Sequence, residues 1–156
     1  MRIYSKRFEV PGDAIDGQGH VNNLAYVGWM QDVAIEHSAA VGWPMARYRD
    51  IGAGWVVRSH FVEYLRPAFA GDRLGVHTWV PEFSQRFTPR RYLFVREPAT
   101  EVVVQAETRW VFIDLGTGRR RPLPAELLAS FEAVPDEAEV RRALGLGRGG
   151  ARETIP

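Results

Sequence analysis

Four polar residues between Asp16 and Asn23 are of the types that acyl-transfer chemistry uses. Asp16 is a carboxylate, His20 lies four residues later, and Asn22 and Asn23 follow directly. A carboxylate acts as a base toward water, and the unpaired N–H groups at a helix start donate to a developing oxyanion. The same residues also suit an ordinary turn and helix cap, in which Asp16 accepts loop amides and an asparagine is the N-cap. From residue types alone, both interpretations stay open.

A long helix is predicted directly after these residues. Between Leu24 and Val41 there is no proline, the first two turns are apolar on every side, and Gly42 is placed to end the helix. A helix that is apolar all round is expected to be buried. Its N-terminus then lies beside the loop from Pro11 to Asn22, where helix amides carry partial positive charge.

The remaining elements predict a sheet around this helix. Alternating or branched and aromatic residues predict strands over 2–10, 55–65, 74–80, 92–96 and 102–113. Short helices are expected over 125–131 and 137–144. Because short turns join consecutive strands, we expect antiparallel pairing and an α+β fold: one curved, five-stranded antiparallel sheet wrapped around a long central helix.

Length and composition limit the class of protein. The 156 residues are 46% hydrophobic, which predicts one domain over 1–134, followed by a C-terminal tail over 135–156 that is partly helical or flexible. The net charge of +1 argues against nucleic acid as a partner. The absence of cysteine excludes disulfides and thiolate chemistry. Lys6 is the single lysine among 20 basic residues, which is typical of a GC-rich, bacterial genome.

Targeting and metal sites are not indicated. There is no apolar signal segment and no run of 18 apolar residues, so we expect a cytoplasmic protein without membrane insertion. The histidines lie on separate elements without ligand spacing, so no metal site is predicted. No serine lies in a nucleophile elbow, and no glycine pattern fits a phosphate loop.

The stretch from Asp16 to Trp29 (DGQGHVNNLAYVGW) closely resembles the D-x-x-G-H-V-N-N-x-x-Y segment of hotdog-fold thioesterases of the 4-hydroxybenzoyl-CoA thioesterase-like branch. It is also similar to a segment of the acyl-ACP thioesterases. Two further stretches, over 64–74 and 108–124, resemble the second strand and the last strand of that family. The resemblance covers about 1–132 and implies the hotdog fold.

The resemblance also implies roles for the four polar residues. Asp16 matches the catalytic carboxylate, which acts as general base on water or as nucleophile on the thioester carbonyl. Asn23 matches the helix-start position whose N–H polarises that carbonyl. His20 and Asn22 match the polar pair that orients the carboxylate or the loop. The reaction needs no cofactor, because coenzyme A is part of the substrate.

Other residues are candidates for binding the substrate. Tyr26 and Trp29 belong to the matched segment and are interpreted as pocket or core residues. Glu63 has the strand parity of apolar neighbours and is expected to point toward the helix. Guanidinium groups suit the phosphates of coenzyme A, so two arginine clusters are candidates for a basic rim: Arg86, Arg90 and Arg91, and Arg119 to Arg121.

The sequence therefore predicts an enzyme, an acyl-CoA thioesterase that releases a carboxylic acid and free coenzyme A. An acyl-ACP thioesterase, a hotdog dehydratase or hydratase, and a non-catalytic acyl-binding protein stay as alternatives. Because a small open sheet has exposed edges that proteins pair or cover, and because hotdog proteins associate edge to edge, we expect a homodimer or homotetramer.

Overall fold

The computed structural model describes residues 1–147. The elements follow in the order β1 Tyr4–Glu9, α1 Asn23–Ala40, α2 Met45–Asp50, β2 Ala53–Tyr64, β3 Arg73–Trp79, β4 Thr88–Glu97, β5 Glu101–Asp114, α3 Ala125–Ser130 and α4 Glu137–Ala143. A single 3-10 turn at Gly12–Ala14 precedes α1. The short helix α2, between α1 and β2, has no counterpart among the predicted elements, and β4 begins four residues before the expected start.

The five strands form one antiparallel sheet in the order β1-β3-β4-β5-β2. The first two strands of the chain, β1 and β2, therefore lie at the two edges. The α+β class and the five-stranded antiparallel sheet around one long helix are confirmed.

The helix α1 packs on one face of this sheet. Tyr26, Met30 and Val33 of the helix are buried against the sheet residues of the same cluster, which include Leu74, Val76, Phe94 and Val104. Alternate residues of each strand point to this face, because side chains alternate along a strand. The helix is held in place by the burial of large apolar side chains, worth roughly 2 kcal/mol each.

The opposite side of α1 faces outward. Leu24 is 78% exposed and Ile35 is also exposed. The expectation that the first turns of the helix are buried on every side is therefore wrong for the single chain, because one curved sheet covers only one side of a helix.

The outer face of the sheet is covered by the C-terminal segment. Val134, Val140 and Leu146 pack with Trp79 and Leu93, which point away from α1. The helix α4 is also tied to the N-terminus by an ion pair between Glu139 and Arg2. The domain limit at residue 134 stays a prediction, and the part of the predicted tail after residue 147 lies outside the described residues.

A β-bulge in β2 changes which side chains of that strand point inward. The register with β5 shifts between Val57 and Ser59. Before the bulge, Trp55 lies opposite Phe112, and after it Val62 lies opposite the buried Ala106. The parity of inward-pointing residues therefore reverses at Arg58, which the alternation of the sequence did not reveal.

Candidate active site

The loop before α1 is a small hairpin. Ile15 and Val21 form an isolated antiparallel bridge. The Asp16 N–H donates to the His20 carbonyl at 2.8 Å, and the Asn22 N–H donates to the Ala14 carbonyl at 2.7 Å. These bonds place Asp16 opposite His20 and connect both to the first turn of the helix.

The carboxylate of Asp16 is half-buried and held by the turn that follows it. Its Oδ1 accepts the N–H of Gln18 at 2.9 Å and the N–H of His20 at 3.2 Å. Within residues 1–147, Oδ2 accepts no hydrogen bond. One oxygen therefore fixes the orientation of the carboxylate, and the other is available to a water molecule or a substrate.

The ring of His20 packs against Phe69. Its centroid lies 5.5 Å from that of Phe69, in an edge-on arrangement. The Val21 N–H donates to the Ala68 carbonyl at 2.8 Å, so the loop is attached to the β2–β3 connection. The contact between His20 and Asp16 runs through the backbone, and the role of the imidazole stays a prediction.

The helix start leaves one backbone N–H without a partner among the described residues. The Asn22 side chain is the N-cap and accepts the Leu24 N–H at 2.8 Å. The Asn23 N–H is the first of the helix and has no intrahelical partner; it finds no other acceptor in the part of the chain that the structure describes. An unpaired N–H at the positive end of a helix dipole suits the oxygen of a polarised carbonyl.

Tyr26 and Trp29 lie beneath this site in the core. Tyr26 is buried and makes edge-on contacts with Trp29 and with Phe94. Burial raises the pKa of Tyr26 to about 12. Both side chains therefore pack between α1 and the sheet. Their contact with the substrate stays a prediction.

An apolar cavity of about 220 Å³ lies beside the other half of α1. Ala34 of its wall lies about 16 Å farther along the helix axis than Asn23, at about 1.5 Å per residue. The rings of its wall come from segments far apart in sequence: Trp43, Tyr48, Trp55, Phe83, Trp110 and Phe131. No single sequence pattern predicts this cavity, because its wall comes from segments that only the fold brings together.

Glu63 does not point toward the helix, contrary to the expectation. It lies opposite Gln105 on β5, and its Oε1 accepts the Gln105 side-chain N–H at 2.8 Å. Gln105 is also within 3.4 Å of Arg141 on α4, which covers the outer face. The bulge at Arg58 is the reason, since it reverses the parity of the strand.

The predicted cluster of Arg86, Arg90 and Arg91 is divided by the fold. Arg86 is exposed in the β3–β4 connection. Arg91 forms an ion pair with Glu107 at 3.1 Å. Arg90 points to the helix side, is only 6% exposed and lines the cavity. The three therefore do not form one basic rim, because consecutive residues of a strand face opposite sides.

The second predicted cluster is at the surface. Arg119 and Arg120 are exposed beside the β5 turn, and neither forms an ion pair within residues 1–147. Arg121 donates to the Ile51 carbonyl at 2.6 Å. The neighbouring Leu115 lines the cavity, so Arg119 and Arg120 lie close in sequence to its wall.

Two other features are absent from residues 1–147. No helix there is long and apolar enough to cross a membrane. In the same range, no group of three or more histidine, aspartate and glutamate side chains is arranged to hold a metal ion.

The chain is similar to known bacterial proteins. A model of the thioesterase-like superfamily matches residues 10–131. The long-chain acyl-CoA thioesterase FadM of Escherichia coli is 26% identical over 131 residues, covering 82% of this chain and 96% of that protein.

Solved structures show the same fold. A hypothetical protein from Aquifex aeolicus is 25% identical, with a TM-score of 0.75 over 83% of this chain and 99% of that chain. A hypothetical protein from Staphylococcus aureus, solved in complex with CoA, is 14% identical, with a TM-score of 0.79 over 99% of this chain and 96% of that chain. These matches confirm the predicted resemblance and, at the level of the family, the prediction of a thioesterase.

Proposed function

The chain belongs to the thioesterase-like superfamily, and from that premise we propose that it hydrolyses an acyl-CoA thioester to a carboxylic acid and free coenzyme A. One observation carries the proposal. Asp16 is a half-buried carboxylate with one fixed and one free oxygen, in a hairpin that leads directly into a helix whose first N–H is unpaired. These are the parts that attack and polarise a thioester carbonyl.

The proposed mechanism uses Asp16 and the helix start. Asp16 either removes a proton from the attacking water or attacks the carbonyl carbon itself, and both routes end in the same products. The Asn23 N–H donates to the carbonyl oxygen as negative charge develops on it. One such donor contributes about 3 kcal/mol to lowering the barrier. Thioesters have a good leaving group, so the reaction needs no cofactor.

The acyl group is proposed to occupy the apolar cavity. Its aromatic wall suits an aromatic or short aliphatic chain, and its volume of about 220 Å³ lies below the usual range for drug-sized ligands. Within one chain, however, the cavity and Asp16 lie beside opposite halves of α1. The cavity of one chain therefore needs a carboxylate from elsewhere.

A second copy of the chain supplies this carboxylate if the β2 edge strands of the two copies pair. The β2 strand is 12 residues long and has no partner strand on its outer side within residues 1–147. Val56 on this strand is 41% exposed, and Leu24 and Ile35 of α1 are also exposed on one side. The other edge, β1, is short and carries the ion pairs of Lys6 and Arg7, which disfavour further pairing.

Antiparallel pairing of two β2 strands about their centre brings the two halves of the site together. The end of β2 is joined to the helix start, since Tyr64 donates to the Asn23 carbonyl at 3.1 Å. The beginning of β2 carries Gly54 and Trp55, which line the cavity. In the homodimer, Asp16 of one copy then lies beside the cavity of the other.

The phosphates of coenzyme A are proposed to bind Arg119 and Arg120. Both guanidinium groups are exposed and have no ion pair in the described part of the chain. Arg86 is a further candidate, but it is the one arginine in the connection between β3 and β4. Arg90 and Arg91 are no longer candidates for this role, since the first is buried and the second is paired with Glu107.

Free-thiol release from a panel of aromatic, short, medium and long acyl-CoA thioesters tests the proposed reaction. We expect turnover by the wild type and a loss of at least about 100-fold in Asp16→Asn, with an unchanged melting temperature. Asp13→Asn is the matched control, because Asp13 is an exposed carboxylate three residues earlier; it is expected to keep wild-type turnover.

The opposite results would separate the alternatives. Turnover by Asp16→Asn at the wild-type rate would contradict the proposed role of the carboxylate. Thiol release from acyl carrier protein thioesters alone would replace coenzyme A with a protein carrier. Conversion of the acyl group without thiol release would indicate a dehydratase or hydratase, and binding without conversion would indicate an acyl-binding protein.

A further inference from the structure

Three residues with hydrogen-bond donors lie together on one side of the cavity wall. They are Thr88 and Arg90 of β4 and Trp110 of β5. Thr88 lies directly opposite Trp110 in the sheet, and Arg90 is two residues farther along the same face. The donors therefore form one patch, which we call the donor patch.

Arg90 is a buried cation that has no counterion among the described residues. Its Nη1 donates to Nδ1 of His37 at 2.9 Å and lies 3.2 Å from Oγ1 of Thr78. Its Nε and Nη2 have no acceptor, and it forms no ion pair, among residues 1–147. His37 does not supply a negative charge: burial and the Arg90 charge lower the pKa of its imidazole to about 4, so it is a neutral acceptor.

Thr88 and Trp110 differ in how far their donors are satisfied. The Oγ1 of Thr88 is buried and has no hydrogen-bond partner within the described residues, whereas the Nε1 of Trp110 lies beside the hydroxyl of the buried Tyr92. By contrast, the remaining hydroxyls of the wall are paired, since Ser38 and Tyr48 are hydrogen-bonded to each other at 2.6 Å. Unpaired buried donors are uncommon in proteins, and each costs about 1–3 kcal/mol.

We infer that the donor patch binds a carboxylate at the far end of the acyl group, so that the substrate is the CoA thioester of a dicarboxylic acid. This inference rests on the proposed function. A carboxylate accepts two parallel N–H bonds from a guanidinium group and has lone pairs left for the Thr88 hydroxyl. It also neutralises the buried charge, which a ketone, a phenol or a methyl group does not.

The size of the cavity agrees with such a substrate. Its volume of about 220 Å³ equals roughly seven times the ~30 Å³ that one water occupies in the liquid. A short dicarboxylic chain or a benzene ring with a carboxylate fits this space, and a long fatty chain does not. The rings of the wall contact the apolar middle of the chain, while Arg90 contacts its charged end.

Matched pairs of substrates test the inference. Glutaryl-, adipoyl- and suberoyl-CoA are each compared with the methyl-ended acyl-CoA of the same carbon number, and kcat/KM is measured by thiol release. For at least one pair, we expect the wild type to prefer the carboxylate-ended substrate by about 10- to 100-fold, the usual value of charge-assisted hydrogen bonds. Arg90→Met is expected to remove the preference, chiefly by lowering the rate on the carboxylate-ended substrate.

Two further variants keep the test decisive. Arg73→Met makes the same substitution at an exposed arginine of β3 and is expected to leave the preference unchanged. Thr88→Val removes one donor at constant volume and is expected to reduce the preference several-fold. If Arg90→Met does not fold, Thr88→Val carries the test. An unchanged preference in every folded variant of the donor patch would overturn the inference.

The failure of this inference and that of the proposed function are distinguishable. Equal or faster hydrolysis of all methyl-ended substrates by the wild type would overturn the inference and leave thioester hydrolysis standing. If no thioester is hydrolysed, calorimetric titration with free adipate and free hexanoate decides the inference alone. Binding of adipate that is lost in Thr88→Val would support it, and no binding, or equal binding of both acids, would overturn it.

Discussion

Two buried histidines with lowered pKa values make the free energy of unfolding depend on pH. His37 and His77 are both buried, and burial is the main reason that the pKa of each is lowered to about 4. His77 is hydrogen-bonded to Ser5 at 2.7 Å and lies near Arg7, whose charge also lowers its pKa. Both histidines are neutral in the folded protein at neutral pH.

We expect the free energy of unfolding to fall as the pH drops from about 6.5 to 4. Above this window the histidines are neutral in both states, so they add no pH dependence. Within it, only the unfolded state binds the protons, which costs about 1.4 kcal/mol per pH unit for each histidine. Urea unfolding from pH 7 to 4 measures this slope, and His77→Gln is expected to reduce it. An unchanged slope in that variant would show that His77 does not titrate in this window.

At the scale of elements, the first turn of α1 stabilises the helix and is proposed to take part in the chemistry. Asn22 caps the helix through its side chain, while Asn23 presents its backbone N–H. Asn22→Ala is expected to lower the free energy of unfolding by about 1 kcal/mol, because the Leu24 N–H loses its acceptor. Asn22→Ser restores a cap, so we expect both the stability and kcat of that variant to lie near the wild type in urea unfolding and thiol-release measurements.

The serine variant also separates a cap from a substrate contact. If Asn22→Ser is as stable as the wild type but loses turnover, the amide of Asn22 acts on the substrate and not only on the helix. If both the stability and kcat of Asn22→Ser equal those of the wild type, Asn22 acts only by capping the helix.

The sequence predicts a helix, strand or loop well where one local pattern of residues identifies it. The long helix, the five strands and the Asp16 loop follow from local patterning and from the resemblance, and their order is observed. Side-chain direction is different, because it depends on register. A single bulged residue, Arg58, sends Glu63 to the outer face, and the true start of β4 places Arg90 in the interior. Neither the bulge nor the start of β4 has a signal in the residues themselves.

At the scale of the whole molecule, the proposed site needs a second chain, because Asp16 and the cavity lie beside opposite halves of α1. We expect the wild type to sediment at twice its mass of 17.6 kDa or at a higher even multiple. Val56→Glu places a charge on the β2 edge and is expected to give inactive monomers. Leu128→Glu is the matched control, because Leu128 is a similarly exposed apolar residue on α3. A fully active wild-type monomer would contradict the shared site.

Mixing two inactive variants tests the sharing directly. Asp16→Asn removes the carboxylate, and Ala34→Phe fills the cavity; each alone is expected to be inactive. In a mixed dimer, the intact Asp16 of one chain meets the intact cavity of the other and forms one working site. An equal mixture that exchanges chains at random should therefore recover about a quarter of wild-type turnover. If each chain forms its own site, every site in the mixture carries one of the two defects, and no turnover returns. Recovery consequently requires that the acyl group enters one chain while the carboxylate of its partner acts on the thioester.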